Sequence, residues 1–100
     1  MPTRLFAAFV HRADAWIPGR APQEQVGFPD HAKFVGELEA SGFIAQAGLM
    51  QPSNDVLFIF RAESEAEVRE RMAQDPWQKD GHARLGRVEE VMFRIGSPGG

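Results

Sequence analysis

The chain has 100 residues, of which 43% are hydrophobic and 25% charged, a composition that suits one ordinary globular domain. The net charge is -3, and the 11 basic residues are scattered among 14 acidic ones without a basic stripe, which argues against nucleic acid as a partner. The absence of cysteine excludes disulfides, thiolate metal sites and Cys nucleophiles.

In chain order, Arg4 to His11 predicts a strand, with Leu5, Ala7 and Phe9 on one side and Phe6, Ala8 and Val10 on the other. Apolar residues on both faces suggest a central place in a sheet. The run is too short for a secretory h-region and far too short to cross a bilayer, so a cytoplasmic protein without membrane contact is expected. Arg12 to Gly27, with Pro18, Gly19 and Pro22, predicts a long loop, and long ordered loops are often lids or binding elements. Pro29 to Ser41 predicts a helix, with Pro at its first position and Gly42 as its C′ residue. Its apolar stripe is Phe34, Val35 and Leu38. Stepping back four residues from Val35 reaches His31, which places the histidine at the N-terminal end of the buried face.

Phe43 to Met50 and Val56 to Arg61 predict two strands joined by the turn-forming run Gln51 to Asp55. Ser64 opens a second helix with the capping-box pattern Ser64-Glu65-Ala66-Glu67, Val68 and Met72 form its buried stripe, and Asp75-Pro76 stops it. Trp77 to Gly81 is expected as a compact loop. Val88 to Ile95 predicts the last strand, with Val91, Phe93 and Ile95 on one face. Residues 1–96 thus form the domain, and Ser97 to Gly100 a disordered tail.

The order β-α-β-β-α-β is the split βαβ, or ferredoxin-like, arrangement of the α+β class. It implies a four-stranded antiparallel sheet with two helices on one face. The other face needs covering, and a second copy of the chain is the expected cover, making a homodimer.

The segment Asp75-Pro76-Trp77-Gln78-Lys79-Asp80-Gly81 resembles the Asp-Pro-aromatic-x-x-x-Gly segment that follows the second helix in YCII-related (YciI-like) proteins. His31 matches in position a histidine near the start of that family's first helix. The resemblance covers residues 3 to 96. It implies a dimeric α/β barrel and an active site built on a His-Asp pair, but no settled reaction. The Trp16-containing loop, and the lack of an aromatic-proline near the final strand, depart from the family pattern.

His31 and Asp75 are therefore the candidate catalytic residues. A carboxylate on one imidazole nitrogen fixes the tautomer and leaves the other nitrogen free to move a proton. The helix N-terminus opposes this by disfavouring the imidazolium. His11, Trp16, Phe34 and Trp77 are the candidate substrate-pocket residues, with Trp16 as roof and Trp77 as apolar wall. The bland readings are a helix-start cap for His31, a helix stop for Asp75 and a core plug for Trp77. Trp16 reads as an exposed-loop aromatic that suits a lid or a dimer contact.

His82 is expected on the surface, Lys79 and Asp80 as a solvated pair, and Asp30 as a helix-start charge. The three His show no metal-ligand spacing, and no glycine-rich phosphate loop opens a helix. The expectation is thus an enzyme without metal or cofactor, moving a proton on a small molecule in lyase or isomerase fashion. One alternative is a non-catalytic dimeric module that binds a small ligand or regulates a partner. Another is a cofactor-free monooxygenase-like enzyme with Phe9, Trp16, Phe28 and Phe34 lining an apolar cavity.

Overall fold

A computed structural model describes residues 4–96. The four strands are β1 (Arg4–Arg12), β2 (Ile44–Leu49), β3 (Val56–Ala62) and β4 (Ala83–Glu90). They form one antiparallel sheet in the order β2-β3-β1-β4. The helices are α1 (Phe28–Ala40), α2 (Glu65–Met72) and the short α3 (Pro76–Asp80). The fold is α+β and ferredoxin-like, with β1 and β3 central as their two-sided apolar pattern requires.

The alternation of β1 sorts its side chains. Phe6, Ala8 and Val10 are buried and meet Phe58, Phe60 and Ala62 of β3, Val88 of β4, Leu38 of α1, and Val68 and Met72 of α2 in one cluster. Both longer helices therefore cover the same sheet face. Leu5, Ala7 and Phe9 point to the other face and are only half-buried. Ser64 caps α2, accepting from the Glu67 N–H at 3.1 Å, while the Glu67 carboxylate accepts from the Glu63 N–H at 2.8 Å. The reciprocal bond of the capping box thus falls one residue earlier than its standard form.

Three expectations are corrected. The last strand is Ala83–Glu90, not Val88 to Ile95. Its register breaks between Ala8 and Val10 on β1, so Leu85 pairs with Val10 and Val88 with Ala8 across a bulge at Gly86. That bulge hides the alternation in the sequence. The more regular run Val91, Phe93, Ile95 lies past the last ladder pair, Phe6 with Glu90, and Met92, Phe93 and Ile95 are exposed. The second helix ends at Met72. Trp77 to Gly81 is largely helical, as α3, not a loop. The expected tail Ser97 to Gly100 lies outside the described residues.

Candidate active site

α3 organises the site, and Asp75 starts it. Asp75 is the N-cap, its Oδ1 accepting from the Trp77 N–H at 3.0 Å, and Pro76 follows at the first helical position. The same carboxylate faces His31, whose Nδ1 lies 2.9 Å from Oδ1 and 3.0 Å from Oδ2. A carboxylate only accepts, so the imidazole N–H on Nδ1 donates and Nε2 is the atom left over. Asp75 is 2% exposed. A carboxylate this deeply buried persists only when its oxygens are bonded, and here they are.

His31 is the fourth residue of α1, its N–H donating to the Gly27 carbonyl at 3.0 Å. Gly27, the N-cap, has φ +81°, and a Cβ there would meet Trp77 Nε1 at 3.5 Å and Asp80 Oδ2 at 3.6 Å. The added carbon would fit in ordinary contact, so it is the positive φ at the start of α1 that calls for glycine. Trp77 Nε1 donates to the Val26 carbonyl at 2.9 Å, joining the two helix starts again.

Trp77 is the central plate. The His31 ring stacks on it at 3.8 Å between centroids and 11° between planes. Trp16 meets it edge-on at 5.3 Å, and Phe28 tilts against it at 6.0 Å. Trp16 is accordingly half-buried, not an exposed-loop aromatic, and the Arg12 guanidinium lies 4.3 Å over its ring. The 13–27 loop is stapled by Gln25, whose amide N–H groups donate to the Ile17 carbonyl at 2.9 Å and the Arg20 carbonyl at 3.2 Å. Its Oε1 accepts from the Ile17 N–H at 2.9 Å. A single turn of 3-10 helix, Pro22–Glu24, leads into that staple.

These elements surround a cavity of about 300 Å³. That volume lies at the small end of small-molecule sites. Val35, Leu49, Val56, Phe58 and Met72 give it apolar walls, while Trp16, Phe28, His31, Asp75 and Trp77 close one side. Among the expected pocket residues, His11, Trp16 and Trp77 border the cavity. Phe34 does not; it packs into the core, and Val35 takes its place. Phe9 also lies off the cavity. The His11 imidazole is paired elsewhere, its Nδ1 3.1 Å from Asp55 Oδ2 at the start of β3.

His82 corrects the expectation of a surface residue. It is 5% exposed, stacks on Trp77 at 5.6 Å and 21°, and borders the cavity. Its Nδ1 meets Asp80 Oδ1 at 2.8 Å, so Asp80 is not simply one of a solvated pair. The Gly81 turn that folds this ring inward, with φ +88°, ends α3, a segment whose sequence reads as a loop. Nothing in the sequence signals the contact with Trp77. Gln25 and Arg12 carried no signal beyond residing in a long loop.

Among the described residues no three His, Asp or Glu side chains converge as metal ligands, and no helix is long and apolar enough to cross a membrane. No protein-family model, curated protein or solved structure matches the chain.

Proposed function

We propose that this protein is a small-molecule enzyme of the YCII-related type in which His31 is the general acid/base and Asp75 orients it. The carrying observation is the buried Asp75 carboxylate gripping His31 Nδ1 at 2.9 Å beside a cavity of about 300 Å³. Nε2 of His31 has no protein hydrogen bond among the described residues and is not a buried orphan, so it is open to a reactant.

Proton transfer next to a carbonyl fits this arrangement. Nε2 takes a proton from carbon, the C–H electron pair enters the conjugated system, and Asp75 stabilises the imidazolium so formed. Return of the proton to another atom gives isomerisation, and departure of a leaving group gives elimination. Apolar walls lower the local dielectric and so strengthen the His31–Asp75 interaction.

The test follows α-proton exchange by NMR in deuterium oxide across a panel of small conjugated carbonyl compounds. Wild type is expected to speed exchange on at least one member. His31→Ala should remove at least a hundredfold of that acceleration, in the range of general acid–base effects. Asp75→Asn should remove a smaller part. Exchange that is absent from the whole panel, or indifferent to His31→Ala, sinks the catalytic reading in favour of a non-catalytic binding module. The oxygenase alternative has less support, because Phe9 and Phe34 lie off the cavity.

We also propose a homodimer through the open sheet face. Leu5, Ala7, Phe9 and Leu57 are left half-buried there by the single chain.

A further inference from the structure

We propose that His82, held by Asp80, is a second proton-transfer group of the cavity that His31 borders, so that the site works with two histidines. This rests on the acid/base reading of that cavity.

The two imidazoles are arranged alike. Each is gripped at Nδ1 by an aspartate, at 2.9 Å for His31 and 2.8 Å for His82. Each stacks on Trp77, and each borders the same cavity. Nε2 of His82, like that of His31, has no protein hydrogen bond among the described residues and is not a buried orphan. The carboxylates differ: the Asp75 side chain is 2% exposed and that of Asp80 is 40% exposed.

A purely structural role explains less. Asp80 already accepts from the His82 backbone N–H at 3.0 Å, which suffices to shape the turn after α3. Stacking on Trp77 needs an aromatic ring but not an imidazole. An imidazole oriented by a carboxylate, with its second nitrogen unbonded at a cavity, is the arrangement that proton transfer needs.

Two such groups define a substrate class: a planar, conjugated carbonyl compound in which a proton moves between two atoms. One imidazole, neutral, takes the proton from carbon at Nε2 and becomes cationic. The electron pair of that C–H bond shifts through the conjugated system to the oxygen or to the far carbon. That atom takes the Nε2 proton of the other imidazole, which starts cationic and ends neutral. The net change on the protein is one proton moved from one histidine to the other, and exchange with water after product release resets both.

The experiment has two arms. In the first, 4-nitrophenol, a planar weak acid, is titrated into wild-type protein while the three imidazole Cε1–H resonances are followed by NMR. Movement of both the His31 and His82 signals is expected. A shift of His31 alone overturns the inference and leaves the site reading standing, whereas a shift of neither removes both. The second arm takes the panel member most responsive to His31 and measures its turnover. His82→Gln should lower kcat about a hundredfold with KM changed less than threefold. Asp80→Asn should fall between that variant and wild type, while Asp80→Glu restores most of the rate. Unchanged kcat in a folded His82→Gln protein overturns the proposal, and if that variant does not fold the first arm decides alone.

Discussion

At Asp75 one side chain caps a helix and grips an imidazole, so truncating it ends both roles at once, whereas truncating His31 ends only the second. His31→Ala and Asp75→Ala should each lower unfolding stability by about 1–3 kcal/mol, the range for a buried polar group that loses its partner. The double variant should lose less than the sum of the two, because the second change no longer breaks a bond. Urea melts measure all three, and strictly additive losses would show that the pair is not coupled. A second residue-scale case is Gly86, where an added Cβ would sit 2.5 Å from His11 Nε2. Gly86→Ala should displace that imidazole from Asp55 at a cost of about 1 kcal/mol, the low end for overpacking because a ring tip can swing aside. The cost should shrink in a His11→Ala background; an equal cost there would clear the ring as the obstacle. The candidate dyad was half legible in the sequence at this scale. Helical spacing from Val35 turns His31 inward, whereas Asp75 stood out only through the segment it begins. His82 was missed because its inward turn depends on Trp77, five residues earlier, being fixed against α1.

At the scale of elements, one buried amide ties the end of the 13–27 loop back to its middle. Gln25→Ala removes three hydrogen bonds to the backbone of Ile17 and Arg20 and frees the segment that carries Trp16. The expected result is faster amide exchange at Ile17 and faster proteolysis within the loop, with a global loss of only about 1 kcal/mol. Unaltered Ile17 exchange would contradict the staple. The sheet ends are clasped differently. Arg4 donates to both Glu90 oxygens, at 2.9 and 2.8 Å, joining β1 to β4, and this guanidinium holds the Glu90 carboxyl below its ordinary range. A lowered folded value stabilises above the unfolded glutamate value of about 4.3 and loses that contribution as pH falls through the folded one. Both groups are exposed, so the effect is small and screened by salt. Glu90→Gln, followed by urea melts across pH, should lower the neutral plateau slightly and flatten the acid limb, leaving stability below the folded value unchanged. Elements with a period and a stop signal were readable: β1 by two-sided alternation, α1 by its stripe and Gly42, α2 by Ser64. α3 is too short to show a period, and a bulge breaks that of β4, so both were misread.

For the whole molecule, the question is what covers the second sheet face. Leu5, Ala7, Phe9 and Leu57 line it, with the Arg87 guanidinium 4.9 Å over the Phe9 ring. If a second copy packs there, sedimentation should give a dimer, and Leu57→Glu should give a folded monomer with an intact cavity. A monomeric wild type would end the dimer proposal. The β-α-β-β-α-β order was readable from the sequence because its turns and caps are local; the cavity was not, because it is made by α1, α3 and the loop meeting beside β2 and β3 through contacts far apart in the chain. That meeting has a further consequence. The chain has two tryptophans, and both stand at the site, Trp77 stacked on His31 and Trp16 edge-on to Trp77. All of the protein's indole emission therefore originates there. Because a protonated imidazole quenches an excited indole by accepting its electron, the native fluorescence is a built-in optical gauge of the charge on the stacked histidines.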